Sequence, residues 1–427
     1  MSIDTFLLSA DTTDLDYPEV RPTLDLNFAR VKALDPRITF TRASGGSYTG
    51  ADGLIKYAGV NEARFDHNPV TGESLGLLIE ESRSNLILRS QELATSPWGT
   101  ISGVVGGFTV TNNVTTSPDG TSNASQINST SYTSGDSVYQ DIAATGTGTY
   151  TLSVFVKGGT CNSIALDAFF IGNSTQGFSF SFNPLTGLIT GTSGGSNHTV
   201  VLYPNGWYRI YFTVTGTNAL NTTLRFQVYT NATGITYLWG AQLEAGAFPT
   251  SYIPTIGSTR TRAADNASIT GKNFSEWYRP DEGSVFVNYK GKSQEGTSYE
   301  RIYSINLNST NSVEEILLIN NIGYNPDRIG YLVYDNSVAI QDTTGTTGGY
   351  VVASSSPVKT AMCYKTANYA YVFNGGTVIT RNVAGVPTVN TLDIGRVGAG
   401  SQLNGTISQL LYYPKRLTNA QLQALTR

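Results

Sequence analysis

Between Ser96 and Ile253 apolar and polar residues alternate with a period of two. Tyr150, Leu152, Val154 and Val156 interleave with Thr151, Ser153, Phe155 and Lys157, and Phe178, Phe180 and Phe182 interleave with serines. Tyr208, Ile210, Phe212 and Val214 interleave with Arg209, Tyr211 and Thr213, and Leu224, Phe226 and Val228 with Arg225, Gln227 and Tyr229. Successive side chains of a strand point to opposite faces, so the pattern buries one face of each strand and leaves the other polar, as in an antiparallel sandwich. No helical period of useful length interrupts it. Residues 94–255 therefore read as one β-sandwich.

The flanking text differs. Residues 1–24 form an acidic, irregular stretch (Asp4, Asp11, Asp14, Asp16, Glu19), either a frayed terminus or an arm ordered by a partner. From Leu24 to Leu93 come short extended pieces, LDLNFA, ITFTRAS, LIKYA, ARFD and GLLIEE, parted by Gly45-Gly46, Asp52-Gly53 and Asn68-Pro69. These do not make a complete sheet, so residues 1–93 read as an arm and docking collar. Residues 256–272 are polar and aperiodic and read as a linker. A second all-β module follows over 273–427, with strands SVFVNYK, EILLI, YLVY, TAMCYK, YAYVF, TVIT and GTISQLLYY. Asn374-Gly375-Gly376 is a hairpin signal. Thr418 and Gln421 have capping-box spacing before a short helix whose apolar face is Leu417, Leu422 and Leu425. The expected architecture is all-β: two antiparallel, jelly-roll-like sandwiches behind an extended N-terminal attachment segment.

Composition narrows the function. Of 427 residues only 14% are charged, against about 25% in ordinary soluble domains, and the net charge is −4 with no Lys/Arg run, which gives nucleic acid no footprint. Two His and two Cys supply neither a zinc site nor a disulfide framework. No apolar run approaches the ~18 residues of a membrane span, so no membrane insertion is expected. Acidic residues stand where a signal peptide would be basic, so the chain reads as made in a cytoplasm without an export signal.

Catalysis finds few candidates. A Ser–His–acid triad needs a histidine, and both His67 and His198 read as solvated loop residues. Glycoside hydrolysis needs only two carboxylates, for which Glu80, Glu81, Glu244, Glu276, Glu282, Glu314 and Glu315 are available. Glu80 and Glu81 point to opposite faces of a strand, and Glu314–Glu315 reads as a solvated strand entry. The expectation is no enzyme and no cofactor. Calcium is the one ion that suits loops such as Asn325–Asp327 and Asp335–Asn336, which are ordinary turns first. Glycan binding needs an exposed aromatic beside hydrogen-bonding side chains. In GWYRIYFTV the residues Trp207, Arg209, Tyr211 and Thr213 share the face opposite the core, making Trp207, Arg209 and Tyr211 the glycan-binding candidates. The competing and stronger reading of that face is packing, with Trp207 closing the sandwich edge or meeting a neighbouring domain.

The runs LDLNFARVKALDPRITFTRAS and RFDHNPVTGESLGLLIEESRSNLILRS resemble a segment of tailed-bacteriophage virion proteins that precedes a carbohydrate-binding-module-like sandwich. SPDGTSNASQI, YTLSVFVKGG, GWYRIYFTVT and YLWGAQLEAGAFPTSYIPTIGSTRTRAAD continue the likeness, and GTISQLLYYPKRLTNAQLQALT is similar to the end of a concanavalin A-like or laminin-G-like domain. The resemblance implies a structural protein exposed on a phage particle: a tail fibre, tailspike or head decoration. Residues 1–93 would bind other virion proteins and the sandwiches would adhere to host-surface glycans. It also implies a homo-oligomer, trimers being common among such appendages. Purely structural cement for capsid or tail is the alternative, in which Trp207 and Tyr211 would be buried by another chain or domain. A glycan depolymerase is a further one. No shaft, heptad or collagen-like repeat is present.

Overall fold

The computed structural model describes residues 18–131, 135–291, 300–309, 313–320, 328–342, 350–351, 357–382, 384–398 and 401–427. The acidic stretch through Asp16 and the loop Asn325–Asp327 lie outside these residues. The chain divides into two compact units. One is Phe40–Asp265; the other takes the described residues up to Thr39 and those from Asn266 onward. The first unit is thus inserted within the sequence of the second.

Unit 40–265 is built on a sandwich of two six-stranded antiparallel sheets. Its strands are β1 (Gly99–Ile101), β2 (Phe108–Thr115), β3 (Ala124–Ser129), β4 (Ser137–Ala143), β5 (Thr149–Gly158), β6 (Ile164–Gly172), β7 (Gln176–Asn183), β8 (Leu188–Ser193), β9 (Ser196–Tyr203), β10 (Trp207–Thr215), β11 (Asn221–Thr230) and β12 (Gly234–Ala245). One sheet runs β9-β10-β5-β12-β3-β2 and the other β8-β7-β6-β11-β4-β1. The alternating apolar residues meet between them: Leu152, Val154, Val156, Ile210, Phe212 and Val214 from the first sheet, and Leu166, Phe170, Phe180, Leu224, Phe226 and Val228 from the second, all without exposure. Trp98 closes one end, edge-on to Phe226 at 5.9 Å. Between β9 and β10, Asn205 and Gly206 both adopt left-handed conformations (φ 60° and 76°), the geometry that turns a strand sharply back on its neighbour.

Residues 40–93 do not stand apart as an arm. Arg83–Asn85 pairs antiparallel with Arg260–Arg262, inside the stretch expected to be a linker. Asn85 donates to the carbonyls of Ala241 and Ile253 and accepts from the Leu243 amide. Arg42, Arg64, Arg262, Glu80 and Asp265 are all fully buried and form one ionic cluster. Arg64 donates to Glu80 (2.8 Å) and to Asp265, Arg42 donates to Asp265 (3.0 Å), and Arg262 lies 3.5 Å from Glu80. Isolated charges are too costly to bury, so these polar residues of "collar" and "linker" fold only because each is the other's counter-charge. Sequence periodicity carries no trace of that.

The second unit is also a pair of antiparallel sheets. One orders Ile379–Arg381, Tyr369–Phe373, Val358–Lys365, Glu282–Gly291 and Gly405–Tyr413. Leu24–Leu26 adds beside the last, with Leu24 opposite Tyr412. The other orders Asn266–Thr270, Thr391–Ile394, Glu300–Asn306, Glu315–Asn320, Arg328–Asp335 and Val338–Asp342. Leu24, Leu26 and Phe28 are buried in this unit, so the chain's early residues complete the C-terminal sandwich. The Asn374 turn forms, with Asn374 and Gly375 left-handed (φ 45° and 65°). The terminal helix Asn419–Leu425 carries the expected capping box and buries Leu422 and Leu425. Glu314 and Glu315, expected in solvent, are buried. Glu315 accepts from Ser304, and Glu314 accepts from the amides of Asn336 and Thr388.

Candidate functional site

The two sheets of the first sandwich differ in what covers their outer faces. On β10, Trp207 is only 1% exposed; its indole Nε1–H donates to the Thr116 carbonyl at 3.1 Å. It belongs to a buried cluster with Phe155, Tyr203, Trp239, Ile55 and Tyr252. Arg209 is buried too, its guanidinium 5.5 Å over the Phe155 ring and donating to Ser153. Tyr211 is half-buried on the same face. Residues 46–58 and 246–254 form the cover: Thr213 donates to the Ala247 carbonyl, Thr151 to that of Gly246, and the Ile253 amide to Gln242 on β12. Trp207, Arg209 and Tyr211 therefore do not make a platform open to a sugar. The cover belongs to the same compact unit, so burying Trp207 needs no partner chain.

The second sheet presents the other kind of face. Its outward positions form rows across the strands. In one, Ser179 of β7 lies opposite Asp167 of β6, Asp167 opposite Gln227 of β11, and Gln227 opposite Tyr139 of β4. In the next, Gly177, Phe169, Arg225 and Asp141 align; in a third, Ser181, Ala165, Tyr229 and Ser137. Small residues alternate with rings and long polar side chains, which leaves the rings room to lie down. A Cβ on Gly177 would stand 2.9 Å from Phe169, and one on Gly99 would stand 2.7 Å from Tyr139, so both rings lie over a glycine. Phe169 is half-buried, and a ring laid flat turns its outer face outward. The Tyr139 ring carries the Arg225 guanidinium 4.1 Å from its centroid, and Arg225 is held in a two-pronged pair with Asp141 (2.7 and 2.8 Å).

The polar floor of this face is buried. Asp167 is 8% exposed and accepts from Ser179 at 2.6 Å; Gln227 is 7% exposed and donates to Ser137 at 2.8 Å. Burial raises the Asp167 carboxyl to about 6, with the Ser179 hydroxyl pulling the other way. A carboxylate and an amide fixed by neighbours, beside a flat ring, are groups that can take sugar hydroxyls while the ring takes the sugar's C–H face. The signal was present in sequence as Arg225, Gln227 and Tyr229 alternating with Leu224, Phe226 and Val228. What alternation leaves open is which of two equally amphipathic sheets the flanking segments cover.

The remaining candidates sit in the framework. His67 is not solvated: it is buried in the strand Phe65–His67 with Nδ1 3.0 Å from the Thr49 carbonyl oxygen. His198 is half-buried and stacked on Phe212 at 5.4 Å, and burial lowers its pKa. Glu244 is buried and accepts from Gln242 and from the Thr250 amide. Glu81 is paired with Arg83. Glu282 lies 3.7 Å from Lys365 and Glu276 lies 3.7 Å from Lys272. Cys161 and Cys363 are buried and free. Among the described residues no group of three or more His, Cys, Asp or Glu is placed to hold a metal ion, and no helix is long and apolar enough to cross a membrane.

Fold and face together define an all-β protein of two sandwich units, one with an aromatic and polar sheet face. No protein-family model matches the sequence, and no curated protein does. Among solved structures it is similar to the CBM40 module of the Ruminococcus gnavus IT-sialidase bound to α2,6 sialyllactose, at 15% identity over 35% of this chain and 85% of that one, with a TM-score of 0.26. The tandem CBM22 modules of Paenibacillus barcinonensis Xyn10C match at 8% identity over 79% and 99% of the two chains (TM-score 0.28). A Trypanosoma rangeli sialidase in complex with 2,3-difluorosialic acid matches at 10% over 71% and 60% (TM-score 0.27). At such scores and identities these likenesses carry no argument about what this chain binds.

Proposed function

We propose that this chain is a non-catalytic glycan-binding protein that holds a saccharide on the outer face of β8-β7-β6-β11-β4-β1. In keeping with the sequence resemblance, we take it to be an appendage of a tailed-phage particle that contacts host-surface glycans. One observation carries the glycan reading: the Phe169 ring lying over Gly177 in a row next to the fixed, hydrogen-bonding Asp167 and Gln227. The non-catalytic reading rests on how the carboxylates are used. Glu80 and Asp265 are locked against arginines, Glu244 is held by Gln242 and Thr250, and Glu314 and Glu315 are buried in their sheet. The virion reading is supported by the sequence motifs alone. A shallow sheet-face site of this kind gives weak single contacts, which many copies on one particle would multiply.

The test is a glycan array probed with the full chain, followed by calorimetry on the best hit with the Phe169→Ala variant. Saccharide binding that falls about tenfold or more in that variant, with its melting temperature unchanged, supports the site. Binding unaltered by the substitution moves it elsewhere, and an array without hits overturns the glycan reading. Electron cryo-microscopy of intact particles addresses the setting. Sandwiches projecting outward support adhesion, and sandwiches wedged between capsid or tail subunits make the protein cement.

A further inference from the structure

The six strands of the sheet that carries Phe169 contain three charged side chains in all, Asp141, Asp167 and Arg225, which sum to −1. From Ala168 through Tyr208 there is no Asp, Glu, Lys or Arg, and that stretch supplies the second half of β6, all of β7 and β8 and the turns that join them. Arg225, on β11, is therefore the one cation of these strands. Tyr139 and Tyr229 are the other titratable side chains in the rows around Asp167. His198 lies on the inner side of the sandwich, against Phe180 and Phe212.

The cation is already spent. Arg225 directs Nε and Nη2 at the two carboxylate oxygens of Asp141, with its guanidinium 4.1 Å from the Tyr139 ring centroid. The pair is neutral, and an anion approaching the guanidinium also approaches Asp141. Asp167 stands in the next row without such a counter-charge. Among the described residues its side chain is bonded by the Ser179 hydroxyl, 2.6 Å from Oδ1, which leaves Oδ2 for another donor. Burial raises its pKa to about 6, Ser179 pulls it down, and no neighbouring charge contributes. Asp167 is thus mostly ionised at about pH 7 and mostly protonated at about pH 5. When ionised it holds the one charge of this face that nothing cancels.

We infer that the sheet-face site selects neutral saccharides and rejects those bearing a carboxylate or sulfate, with the unpaired charge of Asp167 as the discriminating group. This selectivity rests on the glycan reading of the same face. An ionised carboxylate accepts a hydrogen bond from a sugar hydroxyl about twice as strongly as a neutral acceptor does. The same recessed charge repels a ligand anion laid beside Phe169, and no free cation offsets the repulsion. One unpaired charge thereby favours one class of ligand and penalises the other.

The test is a glycan array that carries neutral oligosaccharides beside their sialylated, uronate and sulfated counterparts, followed by calorimetry of the full chain on the best pair. Lactose with 3′-sialyllactose, and galactotetraose with tetragalacturonate, are such pairs. At about pH 7 and low salt the neutral member should bind about tenfold or more tighter than the acidic one. At about pH 5 that ratio should shrink towards one, because Asp167 is protonated while the sugar acids, being stronger, stay ionised. Asp167→Asn keeps the shape without the charge, so it should shrink the ratio at about pH 7 and make it independent of pH. Phe169→Ala should weaken both members alike and leave the ratio as in wild type. Each ratio is taken within one protein, so a change in overall affinity does not enter it. Acidic members binding as tightly as neutral ones at about pH 7, or a ratio that neither pH nor Asp167→Asn moves, overturns the selectivity and leaves the glycan reading standing. An array without hits overturns both.

Discussion

Asp167 and Asp265 show how differently two buried carboxylates behave. Asp167 has a hydroxyl for company but no cation, and burial lifts its pKa from 3.8 to about 6. Its folded form binds a proton more tightly than the unfolded chain does, so its contribution favours the native state at acid pH and is lost as pH rises from about 4 through about 6. Asp167→Asn should remove that slope. Relative to wild type it should gain on the order of 2–3 kcal/mol between pH 4 and pH 7, read as the difference between urea midpoints. Asp265 accepts from Arg42, Arg64 and the Glu80 amide. Asp265→Ala strands two buried guanidinium groups and should cost about 3–5 kcal/mol, enough to shift the urea midpoint strongly. A loss below about 1 kcal/mol would mean that solvent reaches the cluster.

At the scale of strands, glycine decides which aromatic residues are presented and which are packed. Gly177 gives the Phe169 ring its bed, so Gly177→Val should lift the ring off the sheet and weaken saccharide binding about as much as Phe169→Ala. The substitution sits on an exposed strand position and suits strand propensity, so stability should change by less than about 1 kcal/mol. Paired binding and melting measurements separate the two effects. The strands themselves were readable: period-two patterns at Tyr150–Val156 and Leu224–Val228 place the core residues correctly, and Thr418 with Gln421 marks the last helix. The site was legible only in part. GWYRIYFTV and LRFQVYT look alike as amphipathic strands, and the difference between them, a cover from residues 46–58 and 246–254, is a long-range contact that leaves no local pattern. The arginines of ITFTRAS, ARFD and STRTR were equally opaque, because their burial depends on Glu80 and Asp265, far away in sequence.

For the molecule as a whole, the consequential fact is that unit 40–265 interrupts the sequence of the other unit. Leu24–Leu26 fills a sheet position beside Gly405–Tyr413 and buries both leucines. A chain lacking residues 1–39 should therefore leave 40–265 folded while the C-terminal sandwich loses an edge and part of its core. Calorimetry should then show one transition unmoved and the other shifted down. Two unmoved transitions would show that the early residues only decorate the sandwich. Removing 1–93 would damage both units, which makes it a poor way to ask whether those residues dock to a particle.

The ionic cluster also has a mechanical meaning. Arg42 and Asp265 stand within three residues of the two ends of the inserted unit, and they are bonded to each other. A pull applied across the inserted unit enters near residue 40 and leaves near residue 265, so the load crosses a few residues of tightly bonded backbone and guanidinium–carboxylate pairs. Under such a load the inserted unit would keep its sheet face intact until that clasp parts. In single-molecule pulling, Asp265→Ala should lower the force at which the inserted unit opens without changing the contour length released.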